Sequence, residues 1–226
     1  MSEAMARAAS ARGAQRRART RSALVKAAQQ LLAENRTNVA ILEITQLADV
    51  GMGSFYNHFE SREQLFEAAV DDALELQGAF LDELADDLDD PAEVFARSFR
   101  LVGRLHRPLP ELSKVILSQG AALVTADRGL APRALRDIRG AVAAGRFTVA
   151  DPTAALLVVG GAALALGQHV HEHPEEDDAL LADTVTESLL VMLGLAPDEA
   201  RAVVGRELPD VGGPRELAAR LASDPD

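Results

Sequence analysis

The chain has no cysteine, one tyrosine and only 4% aromatic residues among its 226. Without cysteine there is no disulfide framework and no thiolate chemistry, and a reducing cytoplasm is the expected setting. Few aromatic residues beside abundant Ala and Leu favour helices over sheets, because straight side chains lose little freedom in a helix and Ala loses none. No internal repeat and no strand pattern of useful length is present. No run of about 18 apolar residues is free of a charge or a Gly break, so no membrane span is expected. The N-terminus carries arginines but lacks the apolar core of a secretory signal. No Ser/His/Asp nucleophile set, Gly-rich phosphate loop or cluster of catalytic carboxylates stands out, so neither enzyme activity nor a cofactor is expected.

What the chain does have is an uneven charge. The net charge is −12, which by itself disfavours a polyanionic partner. Residues 1–62, however, hold nine Lys/Arg against five acids, a surplus of +4, and the remainder holds 14 basic against 30 acidic residues, or −16. A basic head on an acidic body fits a nucleic-acid module joined to a part that stays off DNA.

Along the chain, residues 1–15 are small, polar and Arg-bearing with no apolar period, and are expected to form a disordered basic arm whose arginines offer phosphate contacts. Thr20 is expected to cap a helix reaching about residue 35, with Leu24, Ala27, Ala28, Leu31 and Leu32 as its buried stripe. Ser61 starts a long helix, and Gln64 three residues later completes a capping-box pattern. Asp89-Asp90-Pro91 stops one helix and starts the next. Further helices are expected over about 92–106, 112–124 and 131–144, the last closed by Gly145. Asp151-Pro152 opens the most apolar stretch, Thr153–Val170. Another helix spans Asp178–Leu193, with short ones near 198–205 and 214–222. The expected fold is all-α: a three-helix N-terminal helix-turn-helix head and a C-terminal bundle of about six helices.

Ile41–Arg62 carries the function. Ile41, Ile44 and Leu47-Ala48 recur at helical spacing and are expected to bury one face. After a break at Asp49-Val50-Gly51, Phe55 and Phe59 sit at i and i+4, so both rings leave one side and dock inward. Tyr56, Asn57 and His58 then point outward, as in a helix that enters a DNA major groove. Gly51 and Gly53 allow close backbone approach to phosphates. Ser54 reaches a base edge or a phosphate, Met52 offers an apolar contact to a thymine methyl, and the Asn57 amide can bond adenine twice.

This stretch resembles the tetracycline-repressor (TetR) family of bacterial regulators, through Ala48-Asp49-Val50-Gly51-Met52-Gly53-Ser54-Phe55-Tyr56-Asn57-His58-Phe59 and Ser61-Arg62-Glu63-Gln64-Leu65-Phe66. The sequence-specific part covers about residues 19–67. The resemblance implies that Tyr56 and His58 contact the DNA backbone, that Thr20 and Arg21 form a phosphate clamp, and that Arg62 stands where the family usually has Lys. Asp49 departs from the usual turn glycine, although Asp tolerates a left-handed turn. Gly51 and Ala40 replace Ser or Thr caps.

The resemblance further implies a cytoplasmic homodimeric regulator, expected to be a repressor of a palindromic double-stranded DNA operator. It divides the chain into the arm 1–15, a helix-turn-helix domain 16–66, an effector-binding and dimerisation domain 67–195, and an extension 196–226. A small hydrophobic effector is expected among Phe80, Phe95, Phe99, Val102, Leu117, Phe147 and Leu164. Dimer contacts are expected at Gly160, Gly161, Leu164, Leu189 and Leu193, where small residues permit close helix approach. A different reading starts from His169 and His173, at i and i+4 with Glu172 or Glu175 near by: a metal-sensing or ligand-binding helical protein with weak or no DNA binding. A frayed polar helix end accounts for the same residues, and no metal is expected.

Overall fold

A computed structural model describes residues 2–34, 36–213 and Leu217. Among the described residues every regular element is helical. The helices are α1 (Ser2–Ala33), α2 (Ile41–Leu47), α3 (Met52–Tyr56), α4 (Arg62–Ala85), α5 (Pro91–Leu105) and α6 (Pro110–Leu117). After a 3-10 turn over Gly120–Thr125 come α7 (Leu130–Ala143), α8 (Pro152–Glu172), α9 (Asp178–Met192) and α10 (Pro197–Val204). The chain forms two compact units, one ending at Asp72 and the other beginning at Ala73.

In the first unit α1, α2 and α3 enclose a small core with the start of α4. Leu24, Ala28, Leu31, Ile44, Phe55, Phe59, Leu65 and Ala69 are all buried. Leu47, expected inward, is 43% exposed, and Thr45 is buried in its place. Its hydroxyl donates to the Leu42 carbonyl at 2.9 Å, which satisfies it inside the core. Two further expectations need correction. Helix α1 begins at Ser2, so the segment read as an unstructured arm is helical, and Thr20 is an interior residue. Its Oγ1 donates to the Arg16 carbonyl one turn back, at 3.1 Å. Ala, Arg and Gln carry a helix on propensity alone, and Arg12–Arg19 do so with every side chain exposed.

The turn between α2 and α3 has a specific backbone. Asp49 has φ 51°, the one positive value at a non-glycine among the described residues. The Asp49 amide bonds the Gln46 carbonyl at 3.2 Å and the Val50 amide bonds that of Thr45 at 2.9 Å. Those two bonds are the Schellman closure of a helix, with Asp49 in the left-handed position usually taken by Gly. At α4 the Gln64 amide donates to Ser61 Oγ at 3.1 Å, and the Gln64 side chain accepts from the Glu60 amide at 2.7 Å. The capping box forms with its return bond shifted one residue.

In the second unit Asp90, Asp151 and Asp177 accept backbone amides at the starts of α5, α8 and α9. Helix α5 packs on α7, α8, α9 and α10. A Cβ at Gly103 would lie 2.7 Å from that of Ala182, so the α5–α9 approach requires glycine there. Beside it Asp183 receives Arg100 Nε at 2.8 Å and Arg104 at 2.8 Å, and Arg100 also donates to the Arg206 carbonyl. The helix expected over 112–124 is two pieces, α6 and the 3-10 turn, because Gly120 takes φ 53° between them. Gly145, at φ 72°, closes α7 as expected. Of the short helix expected near 214–222, only Leu217 is among the described residues.

Helix α8 has the length and apolarity of a membrane span. Here Ala155, Leu156, Val159, Leu166 and Val170 are buried in the core of the second unit, while Leu157 and Val158 are half exposed.

Candidate nucleic-acid interface and ligand cavity

Helix α3 is held by its rings. Phe55 and Phe59 are buried with centroids 6.0 Å apart, and Tyr56 lies edge-on to Phe55 at 5.3 Å while remaining 61% exposed. The i, i+4 pair therefore does anchor the helix and turn Tyr56 outward. Gly51 takes the N-cap position without a side-chain bond. A Cβ at Gly51 or Gly53 would meet nothing within 4 Å. No packing among the described residues requires glycine at either position.

A groove runs between α1 and the end of α3, lined by Gly13, Arg16, Arg17, Thr20, Ser54, Asn57 and His58. Arg17 donates to the Asn57 carbonyl at 3.2 Å, and the Arg21 guanidinium sits 5.5 Å from the centre of the Phe59 ring. Burial, reinforced by Arg17 and Arg21, lowers the pKa of His58 below the usual histidine value. The groove is thus cationic through its arginines. Met52 is exposed at the helix start. Arg62 is placed differently from a free phosphate contact: it donates to Asn38 Oδ1 at 2.9 Å, to the Val39 carbonyl at 3.1 Å and to Glu63. It braces α4 against the segment before α2. The α1 arginines were legible as charge, but only their helix brings them beside α3.

The second unit holds a partly open cavity of about 120 Å³. Five of the seven residues expected at an effector site line it: Phe95, Phe99, Val102, Leu117 and Leu164. Phe80 does not; it belongs to a separate cluster with Leu105, Leu109 and Leu217. Phe147 does not either, and packs edge-on against Phe95 at 5.5 Å within the main core. Sequence reasoning missed the polar lining, which includes Gln77, Asp82, His106, Arg133 and Asp137. Arg133 donates to Asp82 at 2.9 Å and Glu75 at 3.0 Å, while Arg136 bridges Asp82 and Asp137 at 2.8 Å each. Burial pushes the Asp137 carboxyl up against the pull of Arg136. Burial also acts on Asp82, but its bonds to Arg136 and Arg133 outweigh it and hold the carboxyl below the usual range.

His106 Nδ1 lies 2.6 Å from Ser113 Oγ, which lies 2.7 Å from His171 Nε2. Burial and the neighbouring His171 push His106 down to about 4. At the end of α8 the rings of His169 and His173 stack at 4.0 Å, with Glu176 Oε2 2.9 Å from His169 Nε2. The carboxylate that joins the two histidines is Glu176. Glu172 instead accepts from Gln168 at 2.7 Å.

The expected dimer residues sit mostly inside the subunit. Leu189 and Leu193 are buried, Leu164 lines the cavity, and a Cβ at Gly160 would be 2.6 Å from Val124. Gly161 alone of the five is exposed. The open apolar positions are Leu157 and Val158 on α8 and Leu180, Val191 and Met192 on α9.

A helix-turn-helix head with a basic groove, joined to a helical body with an apolar cavity, defines a DNA-binding regulator with a ligand-binding domain. Residues 24–69 match the family described as bacterial regulatory proteins, tetR family, and residues 90–206 match the tetracyclin repressor-like C-terminal domain. The chain belongs to the TetR family of transcriptional regulators. RolR in complex with resorcinol is 34% identical, with a TM-score of 0.62 over 88% of this chain and all of RolR. RolR without ligand is 36% identical, with a TM-score of 0.66 over 84% of this chain and all of RolR. SmeT, the repressor of the Stenotrophomonas maltophilia multidrug efflux pump SmeDEF, shares the fold at 18% identity and a TM-score of 0.62, over 84% of this chain and 97% of SmeT. No match was found among curated protein sequences.

Proposed function

We propose that the protein is a cytoplasmic homodimeric repressor that binds a palindromic operator and leaves it when a small, largely apolar single-ring compound fills the cavity. The observation that carries this reading is the pairing of a basic α1–α3 groove with a largely apolar cavity in one chain. Tyr56, Asn57, Ser54 and Met52 face the major groove, and Arg16, Arg17, Thr20 and Arg21 track phosphates. The exposed stripe of α8 and α9, centred on Leu157, Val158, Gly161, Leu180 and Val191, is the two-fold interface; one head alone buries too little surface to find a genomic site.

The cavity compares with the roughly 150 Å³ void that admits benzene, and RolR, the relative above, was crystallised with resorcinol. An occupied cavity favours a conformation of lower DNA affinity, with α4, which continues from one unit into the other, as the covalent route. A mobility-shift titration with the protein's own upstream DNA tests the reading. A salt-sensitive complex that resorcinol or a related ring dissolves is expected, and Tyr56→Phe combined with Arg17→Ala weakens it. Absence of any salt-sensitive shift overturns the proposal.

A second reading has one observation in its favour, the placing of ligand atoms of His169, His173 and Glu176 within 4.8 Å of one another. Here a divalent transition metal is the effector. Zinc titration of the wild type against His169→Ala/His173→Ala separates the two readings.

A further inference from the structure

We infer that the cavity recognises a hydroxyl on its aromatic guest through Gln77 and His106, with Ser113 and His171 setting which face of the hydroxyl His106 meets. This deepens the effector reading above and rests on it.

Gln77 and His106 are 3% and 5% exposed, and both line the cavity. Gln77 Oε1 and His106 Nε2 are buried atoms without a hydrogen-bond partner among the described residues. Buried polar atoms are almost always paired, so an orphan on a side chain that lines a cavity points to a partner that enters it. The partner's chemistry follows from the two atoms. Gln77 Oε1 can only accept, so the guest must bring a donor. A carboxylate has none. An ammonium group only donates, so it has no lone pair to offer His106 when Nε2 carries the N–H. A hydroxyl is neutral, donates to Gln77, and both donates to and accepts from an imidazole.

His106 is neutral at physiological pH, so it offers one N–H and one lone pair. Ser113 has a single proton to give to the two imidazoles beside it. When it donates to His171, His106 holds its proton on Nδ1 and presents a lone pair at Nε2. When it donates to His106, Nε2 carries the N–H. The guest hydroxyl and the Ser113 proton therefore choose one orientation together. The imidazole is also seated by α8: a Cβ at Gly167 would lie 2.6 Å from His106 Cε1 and 2.7 Å from Nε2. Glycine at 167 leaves the space that the imidazole edge occupies.

Titration calorimetry on the full chain tests the inference, with resorcinol, toluene and benzoate as probes. The wild type is expected to bind resorcinol at least tenfold tighter than toluene, and benzoate most weakly. Gln77→Leu and His106→Leu should each lose about tenfold or more for resorcinol while keeping or gaining affinity for toluene. Ser113→Ala and Gly167→Ala should lower resorcinol affinity in the same selective way. Retained toluene binding shows that each variant keeps its cavity. If the Leu variants leave resorcinol affinity unchanged, or weaken both rings equally, the hydroxyl site is wrong and the effector reading stands. If the wild type binds neither ring, both fall.

Discussion

Phe55→Ala asks whether the head is held by its aromatic pair. Phe55 is fully buried, 6.0 Å from Phe59 and 5.3 Å from Tyr56 by ring centroid. Truncating such a ring costs about 3–5 kcal/mol, through lost burial and the cavity left behind. A unit of some 70 residues has about 4–11 kcal/mol of stability at 0.05–0.15 kcal/mol per residue. The substitution therefore removes a large share of what holds the recognition helix. Phe55→Leu keeps an apolar side chain of most of the volume and should cost less than half as much. The assay is supplied by composition: the chain has one tyrosine and no tryptophan, so tyrosine emission reports Tyr56 alone. With a urea dependence of about 1 kcal/mol per molar, the midpoint should fall by roughly 3 M or more, and operator affinity should fall with the folded fraction. A shift below about 1 kcal/mol, or equal costs for Leu and Ala, would refute the reasoning.

Four further outcomes are expected. Asp183→Ala strands the Arg100 and Arg104 guanidinium groups and should cost about 3–5 kcal/mol in denaturant unfolding, most of it recovered when both arginines become Met. His106 titrates near 4 when folded against about 6.5 unfolded. Between these values the unfolded chain binds the extra proton, so stability falls as pH drops from about 6.5 and levels out below about 4. The difference between wild type and His106→Leu unfolding across that window should approach ~3 kcal/mol. Leu157→Glu with Val158→Glu should shift the sedimenting species to monomer while leaving the circular dichroism unchanged. Asp49→Val places a β-branched residue at φ 51° and should destabilise the head by about 1–2 kcal/mol by tyrosine emission, whereas Asp49→Gly should be neutral or better.

Local chemistry was legible in the sequence by itself. The Ser61–Gln64 box, the Asp-Pro helix starts, Gly145 and the left-handed turn at Asp49 are each decided by a few neighbouring residues. Spacing alone likewise turned Phe55 and Phe59 inward and Tyr56 outward, and that orientation underlies the DNA-binding assignment. Tertiary structure decided what pattern does not carry. Helix α8 is apolar on nearly every side, so its sequence has no phase. Only its packing on the 3-10 turn, α5, α7 and α9 turns Gly160 and Leu164 inward and leaves Leu157 and Val158 open. Phe80 and Phe147 are as apolar as Phe95, and only the cavity wall separates them. Gln77, His106, Ser113 and His171 are scattered over nearly a hundred residues without a motif. Their relation exists because α4, α5, α6 and α8 converge on one small volume. A buried orphan atom becomes visible only once its surroundings are complete.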